Sequence, residues 1–410
     1  MPFETEPILT KKRVITDIPG FPVAIGAWGL GISNAEVLKK IPDDSSDVIL
    51  KEDGLRESGF TLRYHPSVPM TFKGNEGKVA EEVVRAGVET ISAVLEAYSC
   101  RGQDLDRLIL TTSTPADIPG RPKGLWKRQI AEALGIPFDK GNVKHYYLAC
   151  GGAAAAFLDT LYEVRQNPNL RKIVIASIEP LTYFVNPKKS IDYSVFSLGT
   201  SALAYNPHQV ILYNGISEVI PDINGVFKSP ETYTLPPAGS HLPVPEHYRV
   251  HEGGEKIFAV AAEGNYLKLP RTDSPYLEMY TRGTTRYFKV VVPPVVTQIM
   301  REYYTMYPPN QPKNVVDLAA SHQPGRRILI DAIMKDINRA LSKDGFPELT
   351  FRWVMDDETV QMGNFSSGTS VVALGQLINR GEITSGKRFN FTSFGIGSVV
   401  TSMNIALQVA

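Results

Sequence analysis

The sequence predicts an α/β protein in which one strand–helix–strand plan is used twice. Short runs rich in Val and Ile alternate with stretches of helical periodicity, which is typical of buried strands that pack against helices. The same order of signals occurs in two parts of the chain, near 105–205 and near 314–407. A length of 410 residues with 43% hydrophobic composition is enough for two core-forming units.

The first copy contains each element of this plan in order. Residues 78–98 have the apolar spacing of an amphipathic helix, and RLILTTST (107–114) is a predicted strand. The alanine-rich stretch GAAAAFLDTLYEVRQ (152–166) favours a helix, because alanine has the highest helix propensity. Two further strands are predicted at KIVIASI (172–178) and SALAYN (201–206).

The second copy repeats these signals in the same order. LDRLILTTSTPAD near 105–117 is matched by NVVDLAASHQPG at 314–325, and the segment 150–177 is matched by 364–393. The strand FSLGTSALAYN is likewise echoed by FGIGSVVTSMNIAL. The repetition predicts a duplicated, pseudo-symmetric fold, and chance similarity between generic α/β segments is the alternative.

The segment 206–275 departs from this plan. It contains LPPAGSHLPVPEHYRVHEGGE, whose Pro, Gly and His content predicts an irregular insertion or cap between an N-terminal half (1–205) and a C-terminal half (276–410). Four of the seven histidines lie in it, at spacings that match no metal-ligand pattern, so we predict no metal site. These histidines are His208, His241, His247 and His251.

Charge and cysteine content limit the class of protein. The chain has 43 basic and 43 acidic residues, so its net charge favours neither a nucleic acid nor a membrane surface as a partner. Two cysteines, Cys100 and Cys150, exclude a disulfide scaffold and suit a reducing compartment. The N-terminus lacks the apolar segment of a signal peptide, and no apolar run is long enough to span a bilayer. We therefore expect a cytoplasmic protein.

Cys150 is the first candidate for chemistry. It stands in HYYLACGGAAAAFLD (145–159), between an apolar run and the predicted start of a helix. The free N–H groups at a helix N-terminus favour a thiolate, and the small residues 151–156 allow a substrate or another backbone to approach closely. A small buried hydrophobic residue is the alternative. Cys100, at the end of the helix 78–98, is interpreted as a packing residue.

Two polar residues of the second copy stand at comparable turns. His322 follows the strand in AASHQPGRRI, and Asn364 opens the matching helix in MGNFSSGTS. Ligands of open α/β sheets bind beyond the carboxyl ends of the strands, so we expect Cys150, His322 and Asn364 to converge there. A neutral His and an Asn both offer N–H donors to an enolate or a tetrahedral intermediate. Papain-like proteases use the same three residue types, but in a different local motif.

The motifs around these residues resemble those of the thiolase superfamily, specifically β-ketoacyl-[acyl carrier protein] synthase III and its relatives in secondary metabolism. LACGGAAAAF resembles the A-C-[AS]-G-F/A element of that family. HQPGRRI (322–328) resembles H-Q-A-N-x-R-I, GNFSSGTS (363–370) resembles G-N-T-S-A-A-S, and FGIG (394–397) resembles F-G-[AG]-G. Order and spacing agree from about residue 22 to the C-terminus, outside the 206–275 segment.

The resemblance implies a fold and a homodimer. The fold would consist of two βαβαβαββ halves that form a five-layered αβαβα sandwich. The resemblance also implies that Cys150 is the acyl-accepting nucleophile, and that His322 and Asn364 stabilise the enolate of a malonyl-type extender or activate an acceptor. The backbone N–H groups of Cys150 and Ile396 would form the oxyanion hole. Arg326 and Arg327 would offer a basic patch to an acidic carrier protein, with a solvated helix face as the alternative.

The implied activity is an acyl transfer by Claisen condensation from Cys150 to a malonyl- or β-ketoacyl-type thioester. The alternative is an acyltransferase of the same fold that forms an ester or amide. Acyl-CoA or acyl carrier protein would be the partner, with no further cofactor. Leu198 replaces the usual acidic residue, and HQPG lacks the family's Asn, which favours a specialised fatty-acid or polyketide pathway. A degenerate subunit without catalysis is the third hypothesis, against which the intact Cys–His–Asn set argues.

Overall fold

A computed structural model provides the architecture of the chain. The structure describes residues 7–40, 55, 58–67, 74–113, 120–122, 124–138, 141–146, 148–184, 195–219, 267–268, 278–279, 281–325, 327–355, 361–395 and 399–409.

The first half contains eight strands and four helices among the described residues. Its central strands consist of buried apolar residues, as the Val- and Ile-rich runs predict. In chain order these elements are β1 (Leu9–Ile15), β2 (Val23–Trp28), β3 (Leu30–Ser33), α1 (Asn34–Lys40), β4 (Leu62–His65), α2 (Glu76–Ala97), β5 (Arg107–Thr111), α3 (Leu125–Ala133), β6 (Val143–Tyr146), α4 (Gly152–Gln166), β7 (Ile173–Glu179) and β8 (Gly199–Tyr205).

The second half contains seven strands and three helices among the described residues. Its first helix, α5, and its last two strands are rich in β-branched and aromatic residues. Most of these residues whose burial is described lie in the core. The elements are β9 (Val210–Val219), β10 (Leu267–Lys268), β11 (Glu278–Met279), α5 (Thr281–Met306), β12 (Leu318–Ser321), α6 (Arg327–Lys343), β13 (Thr350–Phe351), α7 (Gly368–Asn379), β14 (Arg388–Phe394) and β15 (Val399–Leu407).

Two large sheets reproduce the predicted duplication. The first has the strand order β1-β2-β8-β7-β5-β6, and the second has the order β13-β12-β14-β15-β9. In the first sheet β5 is parallel to β6 and β7, whereas β7–β8 and β8–β2 are antiparallel. The second sheet repeats this pattern, with β12 parallel to β13 and β14 and with β14–β15 and β15–β9 antiparallel. Each half therefore contains one βαβαβαββ unit.

Strand β9 corrects the predicted boundary between the halves. Residues from 206 onward are expected to be irregular, but VILYNGISEV (210–219) pairs with β15 along its length. In the repeated plan β9 corresponds to β2, so the second half begins at β9 and not at residue 276. The physical reason is local, because the Pro-, Gly- and His-rich composition begins only after this β-branched run. Most of the remainder of 206–275 lies outside the described residues.

The helices α4 and α7 lie between the two sheets. They contact each other, and each contacts strands of both sheets. On β14 the side chain of Phe391 packs against Phe157 of α4, whereas Asn390 and Thr392 face a small cavity lined by α5 and α6. Because alternate residues of a strand point to opposite faces, α5 and α6 cover the outer face of the second sheet.

Helix α2 covers the outer face of the first sheet in the same way, and α3 packs against α2. The side chain of Ile178 on β7 contacts α2 at Gly87, whereas its neighbour Ser177 contacts Ser367 at the start of α7. The starts of α4 and α7 consequently lie together between the sheets, near the carboxyl ends of the parallel strands. No helix within the described ranges has the length and apolar character needed to cross a membrane.

Candidate active site

Cys150 lies at the beginning of α4, as the sequence predicts. A short helical turn, Ala149–Gly151, follows β6 and leads into the helix at Gly152. Ala149 has φ of +46°, a left-handed conformation that costs a non-glycine residue about 1 kcal/mol or more. This turn places Cys150 where the dipole of α4 favours negative charge on sulfur. The residue is 5% exposed.

The glycines beside Cys150 allow the helix start to fit between the sheets. A Cβ atom at Gly151 would lie 3.0 Å from Cβ of Val399 on β15, and a Cβ atom at Gly152 would lie 3.3 Å from Cβ of Thr111 on β5. The two glycines therefore contact opposite sheets. The sequence predicts that these small residues allow a backbone or a substrate to approach closely, and in the structure protein atoms of both sheets lie against them.

Gly395 lies against the backbone of Cys150 from the other half. A Cβ atom at this position would be 2.8 Å from the backbone nitrogen of Cys150, and Ser393 donates its hydroxyl to the carbonyl of Cys150 at 2.6 Å. The turn after β14 therefore closely approaches the helix start. Ile396, whose N–H is expected to complete an oxyanion hole, lies outside the described residues.

Asn364 is held rigidly by its backbone and its amide. Its N–H donates to the carbonyl of Val195 at 2.9 Å, and its carbonyl accepts from the N–H of Ser197 at 2.9 Å. The side-chain oxygen accepts from the N–H of Ser366 at 2.8 Å, and Nδ2 donates to the carbonyl of Pro324 at 3.3 Å. The amide therefore links α7 to the turn that carries His322. Asn364 itself lies four residues before the start of α7.

His322 is a fully buried residue that follows β12. Its N–H donates to the carbonyl of Thr392 at 3.1 Å, and its ring packs edge-on against Phe394 with centroids 5.6 Å apart. Burial lowers the pKa of His322 to about 3, so the imidazole is neutral. Nδ1 is hydrogen-bonded to Oγ1 of Thr369, whereas Nε2 is buried without a hydrogen-bond partner among the described residues.

The hydrogen bonds of Thr369 determine which nitrogen of His322 carries the proton. The Thr369 hydroxyl donates its single hydrogen to the carbonyl of Ser366 at 2.8 Å, so it accepts from Nδ1–H of His322. Nε2 then carries a lone pair. This differs from the expectation that His322 supplies an N–H donor to the substrate, because in this arrangement Nε2 accepts a proton.

Ser366 contacts Cys150 and Asn364 directly and is connected to His322 through Thr369. Its hydroxyl donates to Sγ of Cys150 at 3.4 Å, its N–H donates to Asn364, and its carbonyl accepts from Thr369, which holds His322. Ser366 has φ of +54°, so it also occupies the left-handed region that non-glycine residues rarely adopt. Ser366 is not among the site residues predicted from the sequence. The signal that could have revealed it is position, because Ser366 and Cys150 each lie two residues before their helices.

A buried carboxyl group lies behind Ser366. Glu179 is the last residue of β7 and has no exposed surface. It accepts hydrogen bonds from the N–H of Ser113 at 2.8 Å and from the hydroxyl of Ser367 at 2.9 Å. Burial raises the pKa of Glu179 to about 8, although these hydrogen bonds oppose the shift. Sequence reasoning missed Glu179 because it ends an apolar strand and belongs to none of the quoted motifs.

The remaining predicted site residues are described only in part. Arg326 lies outside the described residues, and Arg327 is the first residue of α6, without a described side chain. Nothing in the structure therefore tests the predicted carrier-protein patch. Within the described ranges, no group of three His, Cys, Asp or Glu side chains could hold a metal ion. His208 contacts the carbonyl of Pro168 at 3.0 Å, and the other three histidines of the 206–275 segment are not described.

Solved structures provide the comparison for this arrangement, since no protein-family model and no curated protein sequence matches the chain. The structure of 1,3,6,8-tetrahydroxynaphthalene synthase from Streptomyces coelicolor A3(2), a bacterial type III polyketide synthase, is similar with a TM-score of 0.65 at 14% identity. The match covers 95% of this chain and 99% of that chain.

Two further structures give the same result. One is 3-oxoacyl-[acyl-carrier-protein] synthase III from Aquifex aeolicus VF5, with a TM-score of 0.61, 14% identity, and coverage of 96% of this chain and 99% of that chain. The other is the priming β-ketosynthase of the R1128 polyketide biosynthetic pathway, with a TM-score of 0.62, 17% identity, and coverage of 100% and 99%. At this identity the likeness concerns the fold. The chain therefore has the thiolase fold that these synthases share.

Proposed function

We propose that this protein is an acyl-thioester condensing enzyme. It loads an acyl group on Cys150 and transfers it by Claisen condensation to a malonyl- or β-ketoacyl-type thioester. The observation that carries the proposal is the convergence of Cys150, His322 and Asn364 on Ser366, between two helix starts from different halves of the chain. Cys150 and Ser366 are 216 positions apart in sequence, and a purely structural role would not require these two side chains to be hydrogen-bonded.

In the first step the sulfur of Cys150 attacks the carbonyl carbon of an acyl thioester. A new C–S bond forms to Cys150, the bond to the donor sulfur breaks, and the donor thiol leaves with a proton. The position at the start of α4 and the hydrogen bond from Ser366 at 3.4 Å both stabilise negative charge on Sγ. The oxyanion would be held by the N–H groups of Cys150 and Ile396.

In the second step Asn364 and His322 act on the acceptor. The amide of Asn364 is oriented by its two hydrogen bonds, so that its remaining N–H can donate to the acceptor's carbonyl oxygen. The lone pair on Nε2 of His322 suits removal of a proton from an acceptor that has not lost CO₂. The same lone pair would deprotonate a hydroxyl or amine, and this supports the second candidate, an acyltransferase that forms an ester or amide.

The remaining features of the proposal follow from the resemblance to synthase III enzymes. The donor would be acyl-CoA or an acyl carrier protein, which Arg326 and Arg327 would contact, and the enzyme would act as a homodimer in the cytoplasm without a further cofactor. Likeness to solved polyketide and 3-oxoacyl synthases supports a place in fatty-acid or polyketide synthesis.

Intact-mass measurement after incubation with a panel of acyl-CoAs and acyl carrier proteins tests the first step. We expect one acyl adduct on the wild-type protein, none on Cys150→Ala, and an unchanged adduct on Cys100→Ala, the matched control. Absence of an adduct across a broad panel, or an adduct that survives in Cys150→Ala, would contradict the proposal.

The second step is tested by presenting different acceptors to the acylated enzyme. Malonyl thioesters, β-ketoacyl thioesters, alcohols and amines would each be supplied, and products would be identified by mass. We expect His322→Ala and Asn364→Ala to accept the acyl group and then to stall. Turnover with alcohols or amines alone would establish the acyltransferase. Loss of acylation in both folded variants would refute this division of roles.

A further inference from the structure

We propose that Glu179 receives the proton of the Cys150 thiol through the hydroxyl groups of Ser366 and Ser113. Glu179 would thus be a relay residue that acts through two serines while the acyl group is loaded. The inference rests on the nucleophilic role proposed for Cys150, and it adds a proton acceptor that the sequence motifs do not contain.

Continuous hydrogen bonding joins the two ends of this chain. Sγ of Cys150 is 3.4 Å from Oγ of Ser366, and Oγ of Ser366 is hydrogen-bonded to Oγ of Ser113. The hydroxyl of Ser113 is 3.3 Å from Oε1 of Glu179, and its backbone N–H is 2.8 Å from Oε2. All four residues are buried, so the described contacts provide a route between the thiol and the carboxyl through protein atoms.

The proton transfer balances along this chain without movement of the heavy atoms. Before transfer, the Ser366 hydroxyl turns its single hydrogen from Sγ to Ser113, so that the thiol donates to Ser366, Ser366 donates to Ser113, and Ser113 donates to the ionised carboxylate. Each of the three protons then moves to the next atom. Afterwards the carboxylic acid donates to Ser113, Ser113 donates to Ser366, and Ser366 donates to the thiolate. One S–H bond is lost, one O–H bond is gained on Glu179, and the total charge is unchanged.

The surroundings of Glu179 suit a group that gains and loses a proton near neutral pH. Its contacts on β5, on β7 and at the start of α7 are hydroxyl groups and one backbone N–H, and none of these groups is charged. The described hydrogen bonds also lead from these hydroxyl groups to Cys150 through Ser366 and to the neutral His322 through Thr369. The pKa of Glu179, raised by burial to about 8, lies close to that of an ordinary thiol, about 8.5. A proton moves between such groups at small free-energy cost.

A neighbouring set of hydroxyls contacts the same carboxyl without reaching the thiol. Ser367 donates to Glu179 at 2.9 Å and is hydrogen-bonded to Ser177 at 2.6 Å and to Thr111 at 2.9 Å. Ser366 and Ser367 are adjacent in sequence and both buried, but the Ser366 hydroxyl is hydrogen-bonded to Sγ of Cys150, whereas that of Ser367 is hydrogen-bonded to Glu179, Ser177 and Thr111. The two serines therefore form a matched pair for an experiment.

Alkylation of Cys150 by iodoacetamide tests the relay without any acyl substrate. Rates would be followed by intact mass from about pH 6 to pH 10 in a Cys100→Ser background, which leaves one thiol. We expect Glu179→Gln, Ser366→Ala and Ser113→Ala to react several-fold and at most about 30-fold more slowly near pH 7, because an ordinary thiol with a pKa of about 8.5 is already about 3% ionised there. Near pH 10 each should approach the wild-type rate, because hydroxide then removes the proton.

Two controls separate the relay from a structural role. Ser113→Thr keeps the hydroxyl and should recover the rate that Ser113→Ala loses. Ser367→Ala removes a hydrogen bond to Glu179 but leaves the relay intact, so it should keep the wild-type pH dependence. Wild-type rates and pH profiles in folded Glu179→Gln and Ser366→Ala would overturn the relay. Failure of every acyl donor to load, with the alkylation results as expected, would overturn the proposed function alone.

Discussion

The starts of α4 and α7 have the same design but carry different chemistry. Each helix follows the parallel edge strand of its sheet, β6 or β13, and is preceded by a left-handed residue, Ala149 in the first half and Ser366 in the second. Cys150 and Ser366 each lie two residues before their helices, and they contact each other across the space between the sheets. The residue of the second half that corresponds to Cys150 is therefore Ser366, whose hydroxyl is hydrogen-bonded to the thiol.

The central strands show a second pair of this kind. Ser113 follows β5 and His322 follows β12, and each stands two residues before a proline. Ser113 links Ser366 to Glu179, whereas His322 faces Thr369. The duplicated fold provides two pairs of equivalent positions, Cys150 with Ser366 and Ser113 with His322. Because the residues of each pair differ, one position carries the nucleophile and the others carry groups that assist it. The following experiments test how far that separation extends.

Exchange of the thiol between the two helix starts should have the largest effect. In the double variant Cys150→Ser/Ser366→Cys, the sulfur takes the position of Oγ of Ser366, which is 3.4 Å from the position of Sγ in the wild-type protein. A displacement of a reacting group by about 1 Å can lower the rate about 100-fold. We expect acyl loading to fall by about 1000-fold or more. The single variant Ser366→Cys, which keeps Cys150, is the control. Wild-type loading by the double variant would show that the two helix starts are chemically equivalent.

Gly395→Ala tests whether the second half positions the first. The added Cβ would lie 2.8 Å from the backbone nitrogen of Cys150, so the turn after Ala149 must shift. We expect acyl loading to fall by about 100-fold, as for other displacements of reacting groups. Gly381→Ala is the control, because Gly381 has φ of +70° and open space around it, and it should lose only about 1 kcal/mol of stability. Unchanged loading in Gly395→Ala would contradict the role of this contact.

Thr369→Val tests how the second half holds His322. The variant keeps the shape of the side chain but removes the acceptor of Nδ1–H, which leaves a buried donor unsatisfied at a cost of about 1–3 kcal/mol. We expect the condensation step to slow by about tenfold while acyl loading is unchanged, as measured by single-turnover mass kinetics. Thr369→Ser retains the hydroxyl and should restore the rate. Equal slowing of both steps would argue against a role confined to His322.

The two buried titratable groups should give opposite dependences of stability on pH. The folded pKa of His322 is about 3, below the unfolded value near 6.5, so the unfolded state binds more protons and stability falls as the pH drops below about 6.5. The folded pKa of Glu179 is about 8, above its unfolded value of 4.5, so stability is lost as the pH rises from about 4.5 through 8.

Denaturant unfolding at several pH values measures both dependences. Each group contributes at most about 1.4 kcal/mol per pH unit. We expect His322→Asn to lose the decline between about pH 6 and pH 5, and Glu179→Gln to lose the decline between about pH 6 and pH 8. Wild-type slopes in these variants would show that other groups determine the pH dependence of folding.

The smallest effect is expected at the second cysteine. Cys100 follows α2, packs against the core, and has its thiol directed to the carbonyl of Arg101 at 3.4 Å. Burial raises the pKa of the Cys100 thiol, which disfavours the reactive thiolate. Cys100→Ser should change the free energy of unfolding by less than about 1 kcal/mol and leave acyl loading unchanged. A loading defect in this variant would extend the active region well beyond the two helix starts.

Much of the fold could be predicted from the sequence because its signals are local. The alternation of β-branched runs with helical periodicity predicts the α/β class, and repetition of the order predicts two halves with equal strand arrangements. The boundary between the two halves was less predictable from the sequence. Strand β9 precedes a long irregular composition, and its pairing partner β15 lies almost 200 residues later in the chain. Pairing between two strands so far apart in the chain produces no signal in the local sequence.

The residues of the candidate site also differ in whether a local sequence signal reveals them. Cys150, His322 and Asn364 could be found because each stands in a motif at the end of a strand or the start of a helix. Ser366 lies in one of those motifs but is an ordinary turn residue by composition. Glu179 ends an apolar strand, where sequence periodicity predicts only burial.

The sequence by itself therefore determined the fold class, the duplication and the three residues that the motifs contain. The tertiary structure alone decided what those residues contact. It placed Ser366 on the thiol, Ser113 on Ser366, and a buried carboxyl at the end of that chain. The physical reason is that hydrogen bonds act over about 3 Å, whereas these partners are 66 to 253 residues apart. Only the packing of two sheets around two helices brings them within that distance.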